Sequence, residues 1–199
     1  MYMALRQRTS SAQIEDLVIT AALALLEDHG VEALTVREIA RKAGVAPMGL
    51  YNHFGGKLDV VDALVRQGHD RFAVALDQPV KGHGIKDRLT DAGLAYRAFA
   101  HANPRLYQLM FMQSVTGYEP STETAISMGR SIQVLVGHIT MMQEQGIIRA
   151  GEPLEIAQQI WSNVHGYVSL ELFTINFAPR PEEAYRKLLD DLLYGLGPR

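Results

Sequence analysis

Apolar positions recur at steps of three and four residues along the chain, the spacing that keeps them on one face of an α-helix. The first stripe is Ile14, Leu17, Val18, Ala21, Ala22, Leu25 and Leu26. Ser10 and Gln13 precede it at capping-box spacing, and His29-Gly30 closes it, glycine entering the left-handed position past a helix end without a Cβ clash. Thr35 and Glu38 repeat the capping box before a helix of about two turns whose inner face is Ile39, Ala40 and Ala43. Gly44 ends that helix, Val45 plugs the turn, and Pro47 opens a second short helix to about Phe54 with Leu50 and Phe54 turned inward. Gly55-Gly56 breaks it, and Lys57 starts a longer helix to about Leu76 through Leu58, Val61, Leu64, Val65 and Phe72.

The second half continues the pattern. Beyond a loop from Gln78 to Gly84 with Pro79 and Gly82, a fifth helix carries Ile85, Leu89, Ala92, Tyr96 and Ala100 and stops at Asn103-Pro104. A short helix holds Leu106, Tyr107, Met110 and Phe111. After the loop Gly117 to Ser121, Ala125, Met128, Ile132, Leu135, Ile139 and Met142 predict one long helix with those residues as its inward seam. From Ile156 to Pro179 the only charged residue is Glu171, so a helix near 153–178 needs cover on more than one side. The last helix, near 181–196, sets Tyr185, Leu188, Leu189, Leu192, Leu193 and Leu196 opposite Arg186, Lys187, Asp190 and Asp191. With no strand pattern and no internal repeat, the expected fold is all-α.

Composition narrows the function classes. The 199 residues suffice for a self-supporting core, and 47% apolar with 21% charged residues excludes a disordered or collagen-like chain. Cysteine is absent, which removes disulfides, cysteine-bound zinc and thiol catalysis. No stretch is apolar enough for a membrane span and the first residues lack a secretory core, so the expectation is a cytoplasmic protein. A net charge of −3 means that any nucleic-acid contact rests on a local cluster of cations. The seven histidines, His29, His53, His69, His83, His101, His138 and His165, never fall three or four apart, so no helical ligand pair and no metal site is expected. No catalytic signature is present, and nothing points to a cofactor.

Two short helices joined by Ala43-Gly44-Val45 and packed on a longer first helix describe a helix-turn-helix, whose second helix is sized for the DNA major groove. The run Leu34-Thr35-Val36-Arg37-Glu38-Ile39-Ala40-Arg41-Lys42-Ala43-Gly44-Val45, followed by Leu50-Tyr51-Asn52-His53-Phe54 and Lys57, closely resembles the amino-terminal domain of TetR-family transcriptional regulators over about residues 10–60. The rest is similar to the family's regulatory part in helix count and length. Trp161-x-x-x-His165-Gly166 is similar to the signature of a TetR subgroup named for its Trp, His and Gly.

The resemblance implies a head, residues 1–56, that binds double-stranded DNA, and a body, residues 57–199, for regulation and homodimerisation. By that resemblance Thr35, Gly49 (through its amide), Asn52, His53 and Lys57 hold the DNA backbone, while Arg37, Pro47, Met48 and Tyr51 face base edges. Arg37, Arg41, Lys42 and Lys57 stand against Glu38 alone between positions 37 and 57, and Arg6 and Arg8 form a basic arm before the first helix. Ala46-Pro47-Met48-Gly49 offers few side-chain donors where many relatives carry Ser, Thr or Lys, so operator shape gains weight. Gly56 stands where a capping serine is frequent. Two blander roles remain open: Tyr51 packing on the first helix, and His53 as a half-buried hydrogen-bonding residue.

For the body, Phe99, Tyr107, Met110, Phe111, Met128, Ile132, Trp161 and His165 are the candidate wall of a small-molecule cavity, because methionine and aromatic side chains adapt to irregular ligands; core filling is the alternative, as is a satisfied core role for His165. Tyr167, Leu170, Phe173, Tyr185, Leu188, Leu189, Leu192 and Leu193 are the candidate dimer face, two helices pairing with their copies in a four-helix bundle. The implied function is a repressor freed from a near-palindromic operator when a small apolar or aromatic effector shifts the helix starting at Lys57. A regulator switched by a protein partner and a helical enzyme are the alternatives.

Overall fold

A computed structural model describes residues 11–78, 84–85 and 87–198, and among these it contains helices and turns but no strand. Helix α1 spans Ser11–His29, α2 Val36–Ala43, α3 Pro47–Phe54 and α4 Lys57–Leu76; α5 spans Asp87–Ala102, α6 Pro104–Phe111, α7 Thr122–Glu144, α8 Pro153–Leu172 and α9 Pro181–Leu196. The Ser10 cap, the Arg6–Arg8 arm, Pro79, Gly82 and His83 lie outside the described residues.

Local chemistry sets the boundaries in the first part. The Thr35 hydroxyl accepts the Glu38 amide at 3.2 Å, and Gly44 caps α2 in the left-handed region (φ 69°). Pro47 occupies the first turn of α3, where no intrahelical N–H bond is lost. Val18, Leu26, Leu34, Ile39 and Leu50 are buried together with Val60, Val61 and Leu64, so the first turns of α4 share one core with the three helices before it.

Helix α4 is the central rod. Asp62 faces Ser121 and Thr124, Asp70 meets Arg130, and Asp77 meets His138, a rising order on both chain segments that makes α4 and α7 run parallel. This register corrects the expected seam of α7. Its first half buries Thr124, Ser127 and Ser131 and leaves Ala125 exposed; Asp62 on α4 draws in Thr124 together with the capping Ser121, and Ser131 bonds back to the Met128 carbonyl.

The end of α8 is a second correction. The helix stops at Leu172, not near 178: the Ile175 amide reaches the Leu170 carbonyl, and the Thr174 amide reaches that of Glu171, each at 3.0 Å, with Thr174 at φ 56°. This is a Schellman turn with a β-branched residue at the position glycine prefers, followed by Asn176, whose side chain accepts the Ala178 amide. Likewise α5 starts at Asp87, two residues past Ile85, where the Asp87 carboxylate accepts the Gly84 amide at 3.0 Å.

Helices α5 and α9 approach closely. The Tyr185 hydroxyl donates to the Gly93 carbonyl at 2.6 Å, and a Cβ at position 93 would sit 2.6 Å from Leu189 Cδ2.

Candidate nucleic-acid interface and internal cavity

Helix α3 is pinned inward by Leu50 and presents Pro47, Met48, Tyr51 and Asn52 to solvent, with Met48 68% and Tyr51 50% exposed. Large apolar surface left out on a short polar-rimmed helix calls for a partner. Gly49 lies among them in ordinary helical conformation, and a Cβ added there meets no protein atom within 4 Å, so nothing inside the fold requires a glycine. Arg37 is exposed on α2, and Lys57 is half-buried at the first position of α4.

The polar residues of this region divide. His53 turns toward α1, its Nδ1 3.1 Å from Ser11 Oγ and 3.8 Å from Glu15 Oε1, which is the half-buried bonding role left open above. Arg41 holds Glu38 at 2.7 Å and Lys42 holds Asp28 at 3.2 Å. Folding thus brings Asp28 beside Lys42, one of the cations that the sequence window set against Glu38 alone. Exposed pairs of this kind are weak and exchange readily for phosphate.

Inside the body is a largely apolar cavity of about 370 Å³ bounded by α4, α5, α6, α7, α8 and α9. Of the eight candidate ligand residues it brings together Phe111, Met128, Ile132 and Trp161. Phe111 and Met128 also border an open outer depression with Met110, Met112 and Tyr118, so two side chains are common to both spaces. Phe99, Tyr107, Met110 and His165 are not on the cavity wall. Phe99 stacks on Phe72 at 4.9 Å, and Met110 fills the space beside Gly68.

Tyr107 and His165 belong to a polar cluster of their own. The hydroxyls of Tyr96 and Tyr107 lie 2.7 Å apart and 2.9 and 2.7 Å from His165 Nδ1, and Trp161 Nε1 donates to the Tyr96 oxygen at 3.3 Å. One tautomer accommodates these bonds, with the proton on Nε2: Nδ1 accepts from Tyr107, Tyr107 accepts from Tyr96, and Tyr96 accepts from Trp161. Burial pushes the Tyr107 phenol up to about 12 and the His165 imidazole down, so all remain neutral. His165 is a satisfied core histidine, not a free handle.

Two histidines outside the sequence-based set line the cavity instead. His69 on α4 is 2% exposed and His138 on α7 is 4% exposed, and no ring nitrogen of either has a hydrogen bond of good geometry. Each continues an apolar stripe, His69 between Val65 and Phe72 and His138 between Leu135 and Met142, a signal that a search for paired metal ligands does not detect. Burial pushes the His69 pKa down to about 4 against the raising effects of the Met110 carbonyl and Asp70. Unfolded histidine titrates near 6.5, so between those values the unfolded chain binds a proton that the folded chain refuses. Stability therefore rises with pH across that window, and acidification is expected to cost up to roughly 1.4 kcal/mol per unit. Thermal melts of wild type and His69→Leu at neutral and acid pH check this: the variant's melting temperature is expected to fall less.

Two links tie the cavity wall to the head. The Glu27 carboxylate on α1 accepts the amides of Arg105 (3.3 Å) and Leu106 (2.8 Å), capping the start of α6, whose far end carries Phe111. On α4, burial pushes the Asp62 carboxyl up, but the Ser121 amide and hydroxyl, Thr124 and Tyr118 outweigh it and hold the pKa below the usual range. Among the described residues no cluster of three or more His, Asp or Glu could share a metal ion, and no helix is long and apolar enough to cross a membrane.

Several apolar side chains reach the surface on α8, α9 and the turn between them. Leu170 and Phe173 are exposed, Tyr167, Leu188, Leu192 and Leu193 are half-buried, and Phe177 and Tyr194, absent from the sequence-based set, are 95% and 90% exposed. Tyr185 and Leu189 point the other way and are enclosed by their own subunit against Gly93.

Comparison with known proteins agrees with this architecture. Residues 18–64 match the family described as bacterial regulatory proteins, tetR family, and residues 89–192 match the tetracyclin repressor-like C-terminal domain. An uncharacterized HTH-type transcriptional regulator of Mycobacterium tuberculosis, Rv0681, is 26% identical over 155 residues, 78% of this chain and 68% of the relative. A Rhodococcus sp. RHA1 protein of unknown function superposes with a TM-score of 0.85 at 25% identity, covering 98% of this chain and 100% of that one. The TetR family transcriptional regulator PfmR of Thermus thermophilus shares the fold, with a TM-score of 0.67 at 21% identity over 89% of this chain and 94% of its own. A helix-turn-helix head matched over residues 18–64 and a helical body matched over residues 89–192 make this chain a member of the TetR family of DNA-binding transcriptional regulators.

Proposed function

We propose that the chain is a cytoplasmic, ligand-responsive repressor, a homodimer with a DNA-binding head over residues 1–56 and a regulatory body over residues 57–199. Two heads hold half-sites of a near-palindromic operator about one DNA turn apart, or a little more, and a small apolar or aromatic effector releases them. Arg37, Pro47, Met48 and Tyr51 read base edges; Thr35, the Gly49 amide, Asn52, His53 and Lys57 hold phosphates. Thr35 and His53 also have partners within the head, so their phosphate contacts are shared ones.

The observation that carries this reading is the outer face of α3, where Met48 and Tyr51 stand exposed around a glycine that no internal contact demands. Close approach of a DNA backbone supplies the missing reason for it. The cavity of about 370 Å³ beside α4 supports the effector half of the reading, since α4 both lines the cavity and shares the head's core. An effector that shifts α4 changes the spacing of the two recognition helices. Such coupling is reciprocal, so operator DNA weakens effector binding by the same factor.

Selection of bound sequences from random DNA by wild type, Tyr51→Ala and Arg37→Ala tests the base contacts. Each substitution is expected to relax preference at its own base pair by about 1–3 kcal/mol. Recovery of one site with one affinity by all three proteins removes the assignment. Gly49→Ala separates binding from folding. In an open helical position alanine is expected to raise stability by about 0.5–1 kcal/mol while lowering operator affinity at least tenfold. Melting curves and fluorescence anisotropy measure the two, and wild-type affinity in the stabilised variant contradicts a close backbone approach.

A further inference from the structure

From the two unpartnered imidazoles at opposite ends of the cavity, we infer that it takes an uncharged, elongated, mainly apolar molecule with a hydroxyl group at each end, one hydroxyl donating to His69 and the other to His138. The inference rests on the effector reading above and specifies its chemistry.

The spacing follows from the helices. The Asp70–Arg130 ion pair between the parallel helices sets His69 near the level of Gly129 on α7, next to the cavity-lining Met128. His138 lies nine residues further along the same helix, so the levels of the two imidazoles are roughly 13 Å apart by helical rise. Between them the wall is Phe72, Leu76, Ile132, Leu135 and Trp161. A volume of about 370 Å³ is near the small end of ligand sites and suits two linked six-membered rings.

The chemistry of the ends follows from what surrounds each imidazole. His138 Nε2 is 3.5 Å from Asp77 Oδ1, and a carboxylate on that side favours the proton on Nε2, leaving the Nδ1 lone pair to accept. For His69 the Met110 carbonyl plays the part of Asp77, favouring the proton on the nitrogen nearest it and leaving the other as an acceptor. A neutral donor at each end satisfies both. The other charged groups acting on these rings are Asp70 at His69 and Arg88 at His138. The cavity wall itself carries no Lys, Arg, Asp or Glu among the described residues, so a carboxylate ligand would be buried without a counter-charge. Burial also keeps both imidazoles neutral at neutral pH.

Calorimetric titration of the full-length protein with four probes tests the inference: para,para-dihydroxybiphenyl, para-hydroxybiphenyl, biphenyl, and the carboxylate of para-hydroxybiphenyl. The dihydroxy compound is expected to bind at least tenfold tighter than biphenyl, with the monohydroxy compound between them and the carboxylate weakest. His69→Leu and His138→Leu are each expected to lower dihydroxybiphenyl affinity about fivefold while changing biphenyl affinity by less than about twofold. Both variants should stay folded and melt within a few degrees of wild type, since neither imidazole makes a hydrogen bond of good geometry that leucine would forfeit. His69→Gln and His138→Gln, which keep an acceptor, should restore part of the loss.

Equal binding of biphenyl, tightest binding of the carboxylate, a uniform effect of the substitutions on all probes, or no binding by any probe overturns the inference. Operator release is read separately. If the dihydroxy compound binds as expected and leaves operator affinity unchanged, the cavity chemistry stands and the effector reading fails. If an unrelated compound releases the operator while the probe order is wrong, the reverse holds.

Discussion

Replacing Leu188 and Leu192 together by aspartate is expected to convert the protein into a folded monomer that binds a two-half-site operator roughly a hundred- to ten-thousandfold more weakly. Both leucines lie half-buried on the outer side of α9, beside exposed Leu170 and Phe173 of α8. If this is the face that closes on its own copy, as proposed above, a carboxylate forced into it is desolvated without a cation, a penalty of several kcal/mol that the two-fold axis applies twice. The loss in operator affinity comes from a different source. A dimer that has placed one head holds the second at high effective concentration over the other half-site, and a monomer loses that advantage while each head keeps its contacts. Affinity for a single half-site is therefore expected to stay within a few-fold of wild type, which distinguishes dissociation from unfolding. Sedimentation and fluorescence anisotropy measure both quantities. Leu170→Asp with Phe173→Asp, at more exposed positions, provides a second disruption with less effect on the protomer's core. A variant that remains dimeric, or a monomer with undiminished affinity for the full operator, contradicts the assigned face.

Gly93→Val is expected to be the most destabilising of these single substitutions, at about 4 kcal/mol. The added Cβ would meet Leu189 Cδ2 at 2.6 Å and Cδ1 at 2.9 Å, distances at which the buried Leu189 side chain must repack or α5 and α9 must separate. Any movement strains the 2.6 Å hydrogen bond from the buried Tyr185 hydroxyl to the Gly93 carbonyl. For a chain of this length the melting temperature is expected to fall by roughly 10 °C. Leu189→Ala in the same chain should recover part of the loss, because it removes the atoms in conflict, so the double substitution costs less than the sum of the singles. Additive costs measured by chemical denaturation would show that the close approach is not the cause.

The head is legible in the sequence because its signals are local: a threonine and a glutamate at capping distance, a glycine at a left-handed C-cap, a proline in a first turn. The body is legible as helices but not as faces. The stripe of α9 is continuous, and periodicity cannot say that Tyr185 and Leu189 pack on Gly93 while Leu188 and Leu192 turn outward. The inner face of α7 escapes periodicity because Asp62, about sixty residues away along the chain, recruits Ser121 and Thr124, a contact that exists only after the helices assemble. Thr174 hides the end of α8, since a threonine in the left-handed region leaves no sequence mark. The cavity is foreshadowed by its methionine and aromatic wall, and Phe111, Met128, Ile132 and Trp161 do meet there. Its polar ends are not. A histidine within an apolar stripe reads equally as core, and only the lack of a partner distinguishes His69 and His138 from the satisfied His165.

The carboxylate of Glu27 gives the head a second attachment to the body besides the covalent one through α4. A single hinge lets a domain swing freely, but two separated points of support define an axis. Helix α6 is roughly 12 Å long, with Glu27 gripping one end and Phe111 facing the cavity at the other. Under the proposed effector mechanism, unequal displacement of α4 and α6 would tilt the head rather than slide it, and a tilt would move the tips of α3 further than the displacement that caused it. In that proposal the chain works as a lever, its short arm at the cavity and its long arm at α3.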